Sequence, residues 1–259
     1  MSDYLMRDGA PLDAEGWKKI DQMVADVAKK NLTARRFVPL VGPLGWGVDR
    51  APVYGFGQTE GSHVASESPV LADLYEIKET FMLRAQHLAM ASASPFGLDL
   101  GAVAIAATAV AKAEDQRVFQ SLLDADGALS AEIGDWDTLG GPFKAVAAAI
   151  ASLRAAGFDG PYATVMDPAM YARLAALMQH GRREIDLVGK LTTAGLFHST
   201  AMPSDQVLVT SPQAWNYDLV VGQDIATAYL GNEGLGHLFQ VFETVALRVK
   251  RPQAICVLS

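Results

Sequence analysis

The stretch from residue 98 to residue 124 holds seven alanines, one glycine and no proline. No other part of the chain restricts the fold as much. Alanine costs least of all residues in a helix, so the stretch predicts one long helix. Small side chains surround most of its circumference, which predicts that neighbouring elements cross it closely. Glu114 and Asp115 sit side by side on it. Adjacent helical residues point about 100° apart, so the pair does not converge on one atom. It reads as charge on the helix surface or at an interface.

Residues 13–33 predict a second helix, with Asp13 as cap and Trp17, Ile20, Val24 and Val27 at three- and four-residue steps. Residues 35–50 are punctuated by Gly and Pro and have no helical period, as expected of an extended arm. Residues 51–86 show interrupted β character. A first strand lies at 53–57, a polar tip at 58–68, and Tyr75, Ile77, Phe81 and Leu83 alternate in a second strand broken at Glu79. Such a two-stranded excursion cannot bury both faces alone and needs another domain or subunit.

Farther on, a helix at 142–156 stops at Gly157, a buried strand spans 162–166, and Asp167 caps a helix at 168–178 with Pro168 first. A polar loop follows at 180–184. Strands are expected at 206–210, 217–221, 238–250 and, past Pro252, 254–258. Strands and helices are grouped rather than alternating, so the predicted class is α+β.

Composition removes several functions. The chain has 259 residues, 50% of them hydrophobic and 19% charged, which excludes disorder. Lys and Arg number 21 against 29 Asp and Glu, a net charge of −8, so no positive surplus exists to neutralise nucleic-acid phosphates. The longest uncharged stretch, 191–204, is shorter than the ~20 residues of a membrane span, and the N-terminus lacks the apolar run of a signal peptide. Cys256 is the single cysteine. It rules out an internal disulfide and a CxxC site, fits a reducing compartment such as the cytoplasm, and reads as a buried thiol in an apolar strand.

Catalytic signatures are missing. His63, His87, His180, His198 and His237 show no HxxxH or HxH spacing. Gly55, Gly57 and Gly61 miss the GxGxxG spacing, and 231–236 lacks the GK[ST] of a phosphate loop. No GxSxG elbow is present. The chain is read as no enzyme, with no metal and no cofactor.

An ordered set of short motifs spans nearly the whole chain. It comprises residues 10–12, Trp17 in the first helix, Ala34-Arg35-Arg36-Phe37-Val38 and Gly42-Pro43-Leu44-Gly45-Trp46. Ala113-Glu114-Asp115 with Val118-Phe119, Gly160-Pro161-Tyr162-Ala163, Gly222-Gln223-Asp224-Ile225 and Phe242-Glu243-Thr244 before Pro252 complete it. This set resembles encapsulin shell proteins, the linocin-type family with the HK97 phage-capsid fold. The resemblance implies an N-terminal helix and arm of the peripheral (P) domain at 1–50, an extended E-loop at 51–86, and the long P-domain helix within 87–130. It implies an axial (A) domain at 131–224 and C-terminal P-domain strands at 225–259.

It further implies a cytoplasmic homo-oligomer, about 60 copies in the smallest icosahedral shell, enclosing a cargo enzyme by its C-terminal targeting peptide. By resemblance the cargo is a ferritin-like or hemerythrin-like protein or a dye-decolourising peroxidase, with iron storage or oxidative-stress defence as the role. The implied docking residues are Val24, Val27, Arg35, Phe37, Ile225 and Tyr229. Pro39 stands where the family often has Asp. Gln86 stands where some members carry a flavin-binding Trp, so no flavin is expected. The loop His180, Gly181, Arg182, Arg183 and Glu184 is expected at a five-fold pore, its arginines favouring anions unless Glu184 offsets them. A phage head protein packaging DNA, or a bacteriocin or protease, are the other readings of the family.

Overall fold

The computed structural model describes residues 4–59, 63–66, 68–93, 97–179 and 181–259. Asp13 caps α1 (Ala14–Asn31), its side chain accepting from the Gly16 N–H at 2.7 Å. Trp17, Ile20, Val24 and Ala28 form the buried stripe of α1. A short 3-10 turn, Ala34–Arg36, leads into β1 (Leu40–Val41). β2 (Arg50–Val53), β3 (Phe56–Thr59), β4 (His63–Ser66) and β5 (Val70–Asp73) make a projecting hairpin, with β2 antiparallel to β5 and β3 to β4. β6 (Tyr75–Arg84), α2 (Ala85–Ala93) and α3 (Gly101–Leu123) follow.

The middle of the chain runs β7 (Leu129–Ala131), α4 (Gly141–Ala155), β8 (Ala163–Met166) and α5 (Pro168–Ala176). It continues through β9 (Met178–Gln179), β10 (Arg182–Arg183), α6 (Glu184–Leu191), β11 (Gly195–His198) and β12 (Val207–Thr210). β13 (Tyr217–Val221), β14 (Ala226–Glu233), β15 (Gly236–Val249) and β16 (Ile255–Leu258) complete it.

Two sheets organise these elements. The first has the order β1-β13-β15-β14, with β6 also pairing β15. β15 is 14 residues long and pairs β13, β14 and β6, while β1 pairs β13. α1 and α3 lie against this sheet. Trp17 and Phe81 both pack on Phe239, at centroid distances of 5.8 and 5.2 Å. α3 presents Ala106, Ala107 and Ala111 fully buried, so the expectation of close crossing is met. The second sheet has the order β11-β8-β12-β16-β7. Against it pack Val146, Ala149 and Leu153 of α4, with Leu174 and Val188 from α5 and α6. Cys256 is buried in this second core, and burial pushes its thiol up to about 11.

Three sequence readings need correction. The strand expected to break at Glu79 is continuous. Ile77, Phe81 and Leu83 are buried; Glu79 has the same parity and stays in register opposite Val241, but its position is exposed, where a charge costs little. That strand, β6, lies in the first sheet, and the two arms of the excursion are instead β2 with β3 and β4 with β5. The last strand is grouped by the resemblance with the C-terminal P-domain strands of 225–259. It joins the second sheet, antiparallel to β12 and parallel to β7. The turn at Pro252–Ala254 redirects the chain between them, and the Thr210 hydroxyl donates to the Ala254 carbonyl at 2.9 Å. Conversely β13, placed by sequence with the middle segment, belongs to the first sheet.

Candidate docking groove

The carboxylate pair of the long helix is buried, not exposed. Positions 110, 111, 114, 115 and 118 share one stripe of α3, and Glu114 and Asp115 are 0% and 2% exposed. Their 100° divergence sends each to a different partner. Asp115 accepts the Thr33 and Ala34 N–H groups at 3.0 and 2.9 Å and the Ser199 hydroxyl at 3.0 Å. It thereby holds the turn that follows α1. Burial, outweighing these bonds, holds its carboxyl above the usual range.

Glu114 receives Arg35. The guanidinium donates through Nε to both Glu114 oxygens at 2.9 Å and through Nη2 at 2.6 Å. The same Nη2 reaches Glu243 Oε2 on β15 at 2.6 Å, and Nη1 reaches Asp224 Oδ1 at 2.7 Å. Arg35 thus ties α1's exit to α3, β15 and the segment before β14. Burial opposes its charge, but Glu114 and Glu243 outweigh that and hold its pKa above the ordinary value. One guanidinium faces three carboxyl groups here, and the Glu243 carboxyl is held well above the usual range. Burial and the neighbouring Glu114 charge both raise it, and its Oε1 has no partner among the described residues.

Arg35 and Asp224 of this network form one wall of a groove of about 570 Å³ between α1 and the start of β14. Val24, Ala28, Leu32 and Ile225 make its apolar floor. Arg7 and Asp21 face each other across one side in a two-pronged ion pair of 2.7 and 2.8 Å. Arg7 is itself fixed by stacking over Trp17 at 4.5 Å and by donating to the Thr227 carbonyl at 3.1 Å. Lys29 and Arg36 stand at the C-terminal end of α1.

Of the docking residues expected from sequence, the structure brings Val24, Arg35 and Ile225 to this groove. Val27 is half-buried against the main core, off the groove face that the i and i+4 partners Val24 and Ala28 share. Phe37 points inward and stacks on Phe119 and Phe197 at 6.3 and 5.4 Å. Tyr229 is also buried, its hydroxyl bonded to Asn232 Oδ1 at 2.5 Å. Arg7, Asp21 and Asp224 were missed. Asp224 follows a Gly-Gln turn beside apolar strands, a signal for a placed charge. Arg7 had none. Pro39 opens β1, where its carbonyl accepts the Leu219 N–H at 2.9 Å and its missing N–H costs nothing.

The loop expected at a pore is a tight β9–β10 turn, with Arg182 opposite Gln179 and Arg183 opposite Met178. His180 lies outside the described residues. Gly181 has φ +77°, the left-handed region that suits glycine. Arg182 is exposed, while Arg183 is held by Asp186 at 3.0 and 3.1 Å. Glu184 cannot offset them. It is 1% exposed and its carboxylate accepts the Gly140 and Phe143 N–H groups at 2.6 and 3.0 Å, closing the N-terminus of α4. A free helix end nearby claims the acid.

Comparison with known proteins agrees with this architecture. The family model described as "Encapsulating protein for peroxidase" matches residues 1–246. The chain is 32% identical over 279 aligned residues to the type 1 encapsulin shell protein EncA of Myxococcus xanthus, covering 100% of this chain and 97% of that one. It is 32% identical to a diheme-cytochrome-encapsulin shell fusion protein of Kuenenia stuttgartiensis, covering 96% and 74%. The virus-like particle of Pyrococcus furiosus superposes with a TM-score of 0.84 at 21% identity, over 95% of this chain and 100% of that one. A structure of Mycobacterium phage Che8 follows the same path with a TM-score of 0.57 at 16% identity, over 82% and 85%. The fold is the HK97-type capsid fold, and with the match running through both sheets and the α1 groove, the chain belongs to the encapsulin shell-protein family.

Proposed function

We propose that copies of this chain close into an icosahedral compartment of about 60 subunits in the cytoplasm, and that its role is structural rather than catalytic. The observation that carries this reading is the hairpin of β2 to β5. Phe56, Val64, Val70 and Leu71 are 46%, 74%, 73% and 56% exposed on it. A two-stranded arm with that much apolar surface requires a neighbouring subunit to cover it. In this reading the hairpin is the E-loop. The first sheet with α1 and α3 is the P domain, and the second sheet with α4, α5 and α6 is the A domain.

The groove beside α1 then receives the C-terminal peptide of a cargo enzyme. An apolar floor flanked by fixed charges suits a short extended chain whose side chains supply the anchors. The Kuenenia relative is fused to a diheme cytochrome, which supports enclosure of a redox protein. Peroxidase and ferritin-like or hemerythrin-like iron proteins are the cargo classes to try, for oxidative-stress defence or iron storage. Arg182 of the β9–β10 turn lines the five-fold pore, where a ring of guanidinium groups favours anions and opposes Fe²⁺. The test is co-expression with reporters that carry the C-terminal tails of such enzymes. Co-purification of a tailed reporter inside particles supports the reading. Equal capture of tailed and tail-less reporter contradicts it.

A further inference from the structure

The groove is electrostatically closed at one end and open at the other. Two of its cationic side chains have partners: Arg7 is bound by Asp21, and Arg35 by Asp224 together with the two buried glutamates. Both acids of the lining are therefore engaged. Among the described residues, no carboxylate pairs with Lys29 or Arg36. Both line the groove, Lys29 from the last turn of α1 and Arg36 from the turn that follows it. The helix dipole there amounts to about half an elementary charge, and Arg36 already serves it by donating to the Lys30 carbonyl at 3.2 Å. More than one full positive charge remains beside the apolar floor of Ala28, Leu32 and Ile225.

The dimensions restrict what lies there. From Asp21 to Leu32 the helix rises about 17 Å, so a hollow of about 570 Å³ open to water centres is on average about 6 Å across, or about 9 Å from wall to wall once the radius of a water is added on each side. A helix with side chains needs about 10–12 Å; an extended chain fits. Past Arg7 and Asp21 the groove continues into a shallower hollow of about 530 Å³ that reaches Ala14. The whole of α1 is about 27 Å long, which an extended chain covers in about eight residues.

We infer that the groove takes an extended peptide of about eight residues running toward the α1 C-terminus, with its own terminal α-carboxylate between Lys29 and Arg36. Alternate apolar side chains sit on Ala28, Leu32 and Ile225. A terminal carboxylate supplies a full negative charge with two acceptor oxygens, which is what the two unpaired cations lack. This inference rests on the docking reading above and adds the direction of the chain and the chemistry of its last group.

The test is cell-free synthesis of the full chain in the presence of a dye-labelled octapeptide pool, with Leu, Ile or Val at alternate positions and Gly or Ser between them. The pool is supplied once as the free acid and once as the C-terminal amide, and dye retained per chain is read after gel filtration. The free acid is expected to reach half-saturation at roughly tenfold lower concentration than the amide. That advantage should shrink with added salt and vanish in Lys29→Gln, an exposed position whose change leaves the fold intact. Equal retention of acid and amide, with no effect of Lys29→Gln, overturns the carboxylate assignment and leaves docking standing. Retention of neither form overturns both.

Discussion

Arg35 and Glu114, 79 residues apart, meet as a buried fork in which Nε lies 2.9 Å from both carboxylate oxygens. Glu114 is fully buried and Arg35 is 14% exposed at its side chain. The fork therefore decides where α1 ends relative to α3, and with it the shape of the groove.

Removing the guanidinium leaves Glu114 buried without its partner. Arg35→Met should lower stability by about 3–5 kcal/mol, read as a drop in the urea midpoint. Arg35→Lys keeps the charge but not the fork and should fall between that variant and the parent. An Arg35→Met midpoint equal to the parent's would show that the fork holds nothing.

Glu243 titrates with a known sign. Its folded pKa is raised by burial and by Glu114, so the folded state binds its proton more tightly than the unfolded state does. Its contribution is complete below the unfolded value of about 4.3 and is lost as pH rises through the folded value. Glu243→Gln, neutral at every pH, should flatten the decline in urea midpoint between acidic and mildly alkaline buffer. Parallel pH profiles for the two proteins would place the proton elsewhere.

Glu184 accepts two N–H groups at the start of α4, so Glu184→Ala should cost about 1–2 kcal/mol. Hydrogen exchange at 140–143 should accelerate with it. A residue serving only as a pore lining would leave both readings unchanged.

Much of this was legible in the sequence because it is local. Asp13 and Asp167 cap their helices as their positions predict, and both long helices follow from alanine content and apolar period. The partner of β16 was not legible, since Ile255 meets Thr210 only once the turn at Pro252 has redirected the chain. The burial of Glu114 and Asp115 was within reach, because both lie four residues after Val110 and Ala111 on one stripe. Their partners were not, since Arg35 and Ser199 come from distant segments. For the groove, Val24 and Ile225 were implied by the family resemblance and line it, whereas Phe37 and Tyr229, implied in the same way, turn inward. Which way an aromatic faces depends on the packing of Phe119 and Phe239, and no local pattern encodes that.

The groove floor offers a direct contrast. Ile225→Asp places a charge where an apolar anchor would sit and should abolish retention of tailed cargo while particles still form. Val27→Asp should instead destabilise the subunit by a few kcal/mol, since Val27 packs on the core. Cargo capture scored beside particle yield separates the two. Undiminished capture in Ile225→Asp would remove the groove as the docking site.

The exposed hairpin makes assembly the most direct test of the whole account. Mass photometry of the purified protein, followed by electron microscopy of the same sample, measures it. The account predicts closed particles of about 1.7 MDa, the mass of about 60 chains of 27.6 kDa, with strands β2 to β5 lying across a neighbouring subunit. A stable species at 27.6 kDa, with Val64 and Val70 still open to solvent, would contradict it.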